Sequence, residues 1–137
     1  MEKNVQIGGL IIRFVLGVIF FMHGLQKFQG GIGNTAGFFQ SMGIPGFLAY
    51  AVGTIELVGG ILIILGLGTR VIAALFALIM LVAILKVKLK AGFVGGYEYE
   101  IALLSMSLFF TAAGHPYFSL DNLLNRRKQG ATVKLQG

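Results

Sequence analysis

Four apolar stretches, residues 5–27, 47–67, 70–88 and 96–117, make up most of this 137-residue chain. A bilayer core about 30 Å thick needs about 20 helical residues to cross it. The first three stretches meet that length. The fourth meets it only if Tyr97 to Glu100 lie at an interface, because its cleanly apolar part, residues 101–113, is short. The pattern predicts an all-α membrane protein, a bundle of four transmembrane helices with a short extra helix in the first outer loop. Composition agrees. The chain is 56% hydrophobic and 12% charged, whereas a soluble domain carries about 25% charged residues. So few charges cannot coat a water-soluble fold, which excludes an ordinary soluble enzyme domain and a disordered chain. The absence of Cys excludes a disulfide scaffold, a thiol nucleophile and a Cys-ligated metal or iron–sulfur site.

Four crossings put both termini on one side. Lys3, Arg70, Arg126, Arg127, Lys128 and Lys134 fall on that side. Lys27, Lys86, Lys88 and Lys90, with Glu98 and Glu100, fall on the other. The positive-inside rule then places both termini in the cytoplasm of a multi-pass cell-membrane protein. The net charge of +6 reads as topology and lipid headgroup contact, not as a nucleic-acid footprint. Arg13 interrupts the first apolar run and no A-x-A site follows, so a cleavable signal peptide is not expected. In the loop over residues 29–46, Asn34 or Thr35 is expected to cap a short helix through Met42. Gly43 supplies a left-handed stop and Pro45 bars continuation. Phe38, Phe39 and Phe47 set this loop on the membrane surface or fold it back as a lid. Residues 1–121 form the membrane domain, and residues 122–137 a basic cytoplasmic tail expected to fray.

Helices associate in lipid by close approach of small residues. Ala49, Gly53, Glu56 and Gly60 share one face of the second span, Ala73 and Ala77 one of the third, and Gly17 and Gly24 lie about two turns apart on the first. Glu56 is the residue that most needs a reason, since a charge at mid-bilayer costs about 2.5–3.5 kcal/mol on insertion scales. Depth counted from the span ends sets Arg13 and Glu56 within about 4–5 Å of each other. An Arg13–Glu56 pair is expected, serving either to fix helix register or as a proton-exchanging or ligand-binding site. A second polar cluster is expected at the outer end from His23, Gln26, Lys27, Lys86, Lys88, Tyr97, Glu98, Tyr99 and Glu100. Lysines there can instead snorkel and tyrosines can form an interface belt. Glu98 and Glu100 cannot share a helix face, so at most one points inward. His23 and His115 fall at opposite ends and cannot ligate one haem. No metal site is expected, and the GGIG stretch at residues 30–33 lacks the strand context of a nucleotide-binding loop. The candidate catalytic residues are Glu56, Arg13 and His23. The candidate binding residues are Gln26, Lys27, Tyr97, Glu98 and Lys88.

The run Arg13-Phe-Val-Leu-Gly17, followed by Phe20-Phe-Met-His23-Gly-Leu-Gln26-Lys27-Phe28, resembles the opening of the DoxX family. Gly37-Phe-Phe through Gly43-Ile-Pro45, Glu56-Leu-Val-Gly59-Gly60, Leu65-Gly-Leu-Gly-Thr69-Arg70, Gly95-Gly-Tyr97-Glu98 and Ser119-Leu-Asp121 continue the resemblance in the family's order. Within the family the chain is most similar to the small Bacillus-type members grouped as oxidoreductases. The resemblance implies a four-span inner-membrane protein whose relatives include a subunit of thiosulfate:quinone oxidoreductase and parts of oxidative-stress complexes. It marks Arg13, His23, Gln26, Lys27, Glu56, Arg70, Tyr97 and Glu98 as family-typical polar positions. Many members carry a Val-His pair where this chain has Val87-Lys88, which weighs against a site built on two histidines.

The leading expectation is a membrane subunit of a redox system that meets quinone or quinol. His23, Tyr97 and Glu98 would hold the headgroup, and Phe20, Phe21 and Phe39 the tail. No tightly bound cofactor is expected, so electrons would come from a soluble oxidoreductase or dioxygenase partner. Two alternatives stand beside it. One is a non-enzymatic anchor or assembly subunit docking a soluble enzyme through Arg126, Arg127 and Lys128. The other is a small transporter built on the Arg13–Glu56 pair, which with four spans would need a homo-oligomer.

Overall fold

The computed structural model describes residues 2–136, which form helices and turns with no strand among them. The α-helices are α1 Lys3–Gln29, α2 Ile32–Ser41, α3 Leu48–Leu65, α4 Thr69–Ala83, α5 Glu98–Ala113 and α6 Leu120–Gln136. α4 does not stop at Ala83. It widens into a π-helical turn over Ile84–Lys88 and tightens into a 3₁₀ turn over Leu89–Ala91. Three helical segments, Lys3–Gln29, Leu48–Leu65 and Thr69–Ala91, are long and apolar enough to cross a membrane. α5 has 16 residues. It is shorter than the stretch read from sequence, and His115 and Tyr117 fall in the connector beyond it.

The α3–α4 turn depends on two glycines. Gly66 (φ +73°) ends α3 and Gly68 (φ +59°) opens α4. Both conformations are left-handed, where a Cβ is disfavoured, and together they reverse the chain within three residues. α1 and α3 then pack antiparallel through glycines. A Cβ on Gly60 would come within 2.6 Å of the Gly17 carbonyl, and one on Gly24 within 2.9 Å of the Gly53 carbonyl. The stripe Ala49, Gly53, Glu56 and Gly60 is buried, because a smooth face lets the backbones meet where lipid offers little hydrophobic drive. α4 packs along α5 and beside α3, and α5 also touches α1. The core between them holds Leu16, Phe20, Ile63, Ala73, Phe76, Leu103 and Phe110. At its centre Phe20 and Phe76 stack with ring centroids 3.8 Å apart and planes 9° apart.

Two expectations need correction. α2 starts at Ile32 behind Gly31, so neither Asn34 nor Thr35 caps it. The Asn34 amide instead donates back to the Gly30 carbonyl at 2.9 Å. Its far end is as expected, with Gly43 at φ +77°. The C-terminal segment is the helix α6 and not a frayed tail. Asp121 in its first turn favours a helix N-terminus and fastens it to the α3–α4 turn. The Gly68 N–H donates to Asp121 Oδ2 at 2.8 Å, and the Asp121 N–H donates to the Gly66 carbonyl at 3.2 Å.

Candidate functional site

The glycine contacts between α1 and α3 set one register, and that register decides where the charges go. Gly17 opposite Gly60 and Gly24 opposite Gly53 bring Glu56 level with Phe21. Arg13 is eight residues back along α1, about 12 Å at 1.5 Å per residue. The expected Arg13–Glu56 pair therefore does not form. Counting depth from the ends of the apolar runs failed because α1 extends past the end of α3 on Arg13's side.

Arg13 is 1% exposed; the connector between α5 and α6 engages both of its Nη groups, while its Nε is buried without a hydrogen-bond partner among the described residues. Its Nη1 donates to the carbonyls of His115 (2.8 Å) and Tyr117 (3.0 Å), and its Nη2 to that of Phe118 (2.7 Å). The His115 ring lies between the Arg13 side chain and the α1 backbone at Gln6 and Gly9. Its Nε2 is 3.0 Å from the Gln6 carbonyl, which can only accept, so Nε2 carries the hydrogen. That leaves Nδ1 as an acceptor facing Arg13 Nη1 at 3.3 Å. Burial, and then the Arg13 charge, hold His115 below the ordinary histidine pKa. At the same end Arg70 Nη2 donates to the Ala113 carbonyl at 3.2 Å, tying the start of α4 to the end of α5.

Glu56 belongs to the opposite end, near α2. Lys27 Nζ meets Glu56 Oε1 at 2.9 Å and Oε2 at 3.2 Å. His23 Nε2 and the Tyr99 hydroxyl are 3.2 Å apart. Lys88 Nζ lies 3.8 Å from Glu100 Oε1, while Glu100 Oε2 is buried with no hydrogen-bond partner among the described residues. Tyr99 is within electrostatic reach of both Glu100 and Glu56. These groups gather at one end of a cavity of about 710 Å³ that His23, Lys27, Glu56, Tyr99 and Glu100 help to line. The remaining wall is mainly apolar, from Phe20 on α1, Phe38 and Phe39 on α2, Met42 just after it, Ile55 on α3, Leu75 and Ile79 on α4, and Leu103 on α5. Among the described residues no three His, Asp or Glu side chains converge as a metal set would require.

The candidate residues thus separate. His23, Lys27 and Glu56 meet at the cavity, and Lys88 reaches it through Glu100. Gln26 is exposed. Tyr97 packs edge-on against Phe93 with centroids 5.5 Å apart, and Glu98 Oε1 accepts from the Gly95 N–H at 3.1 Å. Tyr97 and Glu98 shape the turn before α5, while Tyr99 and Glu100 line the cavity. Of the two glutamates it is Glu100 that points inward. The signal was present in the spacing: Glu100, Leu103, Ser107 and Phe110 recur every three or four residues and are the buried face of α5.

An all-helical chain with three membrane-length helices and a charged cluster on the cavity between them defines an integral membrane protein with an internal polar site. The family model that matches it is DoxX, over residues 8–89, and the chain belongs to the DoxX family. It is 44% identical to the Bacillus subtilis protein named "Putative oxidoreductase CatD", an alignment covering 97% of this chain and 98% of that one. It is 33% identical to "Uncharacterized membrane protein Rv3486" of Mycobacterium tuberculosis, over 86% of this chain and 82% of the relative. It is 29% identical to "Inner membrane protein YqjF" of Escherichia coli, over 93% and 99%. No solved structure matches the chain.

Proposed function

We propose that this protein is a membrane subunit of a redox system that binds quinone or quinol in the cavity between His23 and Glu100. The observation that carries the reading is the two-part wall of that cavity. Hydrogen-bonding and charged groups gather at one end, and aromatic and aliphatic side chains form the rest. A volume of about 710 Å³ falls within the roughly 300–1,000 Å³ of small-molecule sites. A quinone ring presents two carbonyls that accept hydrogen bonds, and a quinol two hydroxyls that donate them. Lys27 and the His23–Tyr99 pair supply donors, and the carboxylates of Glu56 and Glu100 supply acceptors. Phe20, Phe38 and Phe39 offer the surface an isoprenoid tail needs. The name of the Bacillus subtilis relative points the same way.

Reducing a quinone takes two electrons and two protons. In this reading a soluble redox partner delivers the electrons, while residues of this chain orient the ring and hold protons beside its oxygens. α5 is the fourth crossing. Its 16 residues reach about 24 Å, and the turns at residues 92–97 and 114–119 lie at the two interfaces. Both termini then share the side that carries Lys3, Arg70 and the basic residues of α6, the cytoplasmic side. The transporter alternative relied on an Arg13–Glu56 pair that the chain does not form.

The test is extraction of protein purified in mild detergent, with mass spectrometry for quinone and titration of added quinone. Stoichiometric quinone in the parent protein and in Glu98→Gln, with lower occupancy and a weaker titration in His23→Ala and Glu100→Gln and folding intact, is the expected result. No quinone in the parent protein, even after addition, overturns the reading and leaves the anchor role.

A further inference from the structure

We propose that α6 is an in-plane helix that rests on the bilayer surface and holds anionic phospholipid headgroups, independently of any ligand in the cavity. Its root is fixed at the membrane boundary. The Gly66–Gly68 turn joins two helices of membrane-crossing length, so it lies where the chain leaves the bilayer, and Asp121 is hydrogen-bonded to both of those glycines. From there α6 runs on with no residue buried against the protein.

Its side chains sort by helical period. Leu120, Leu124, Ala131 and Leu135 fall on one face. Arg127 and Lys134 border that stripe on one side, with Leu123 beyond them, and Lys128 borders it on the other; Asn122, Asn125, Arg126, Gln129 and Val133 occupy the opposite side. A leucine stripe bordered by basic residues is the pattern of a helix lying in the interface, where the leucines enter the acyl boundary and the basic groups reach phosphate. Four basic residues face one acidic residue in this helix, and that acid, Asp121, is engaged by the Gly68 N–H. The occupant that matches this charge at the bilayer boundary is an anionic lipid surface. Each basic residue near such a surface favours partitioning roughly fivefold.

The chain has no cysteine, so single spin labels are clean reporters. Leu124→Cys and Gln129→Cys would be placed in the full chain, in nanodiscs of phosphatidylcholine alone or mixed with phosphatidylglycerol. The readout is accessibility to oxygen, which concentrates in lipid, against a water-soluble nickel chelate. In the mixed bilayer the oxygen-to-nickel ratio at 124 should exceed that at 129 several-fold. Adding R127Q, K128Q and K134Q together should bring the 124 value down towards that at 129. Equal ratios at the two positions, with α6 standing off in water, overturn the proposal. Shielding of 124 from both reagents does so as well, since a protein partner then covers the stripe. Indifference of the 124 ratio to phosphatidylglycerol overturns the assignment to anionic headgroups.

Discussion

Lys27 and Glu56 each carry a charge that the membrane interior would reject alone, and each satisfies the other at 2.9 Å. Breaking such a pair from one side strands the remaining charge and costs about 3–5 kcal/mol, whereas replacing both partners with apolar residues is often close to neutral. Lys27→Met should therefore lower the thermal midpoint in detergent markedly, with a loss near the lower end of that range because the lysine is part-exposed. The double variant Lys27→Met/Glu56→Leu should recover most of it. His115 gives a pH prediction. Its folded pKa lies below the ordinary 6.5, so the unfolded chain takes up the proton first. The stabilisation is complete above about 6.5 and is lost as pH falls through the lower folded value. The thermal midpoint should decline on acidification in that window, and His115→Gln should flatten the decline. That a buried glutamate needs a cation was legible in the sequence. Which cation was not, because depth counted from the span ends sets Arg13 level with Glu56 and leaves Lys27 at the outer end, and only the glycine register between α1 and α3 brings Lys27 to it.

At the level of the helix, glycine positions divide into those that touch and those that do not. Gly60 and Gly24 lie against the backbone of the neighbouring helix, while a Cβ at Gly8 or Gly33 meets nothing within 4 Å. Gly60→Ala or Gly24→Ala should destabilise by about 1–3 kcal/mol through overpacking, and Gly8→Ala should be tolerated; thermal melts of the three variants in one detergent decide it. The small-residue stripes could be read directly because helical spacing is their only requirement. The π turn at Ile84–Lys88 could not, since an apolar run of ordinary composition does not announce a change of pitch. That turn belongs to the segment carrying Lys88, whose partner is Glu100. The inward positions at the start of α5, by contrast, could be read from spacing. Four polar residues, Tyr97 to Glu100, open the segment, and only the buried stripe downstream tells which of them look inward.

The whole molecule has one end closed by Arg13 and the connector and another that holds a cavity. Ligand occupying that cavity should stabilise the fold by mass action, by about 2.7 kcal/mol at one hundred times its Kd. A short-tailed quinone should raise the thermal midpoint accordingly. Tyr99→Phe and Glu100→Gln should each weaken its binding by roughly fivefold or more, the worth of one hydrogen bond of about 1 kcal/mol. Tyr97→Phe and Glu98→Gln should leave it unchanged. At this scale the apolar runs and the scarcity of charge were enough to read an all-helical membrane protein. They could not show that the polar wall is drawn from α1, α3, α5 and the end of α4, because that convergence follows from packing.

The grip of Arg13 on the carbonyls of residues 115, 117 and 118 also orders the protein's synthesis. The first helix leaves the ribosome carrying a guanidinium whose acceptors are encoded about a hundred residues later. Until that connector is made, the arginine lacks these acceptors, so α1 should settle at its final depth only after residues 115–118 have been added. A chain ended before His115 would contain all three membrane-length helices and still be unable to seat the first.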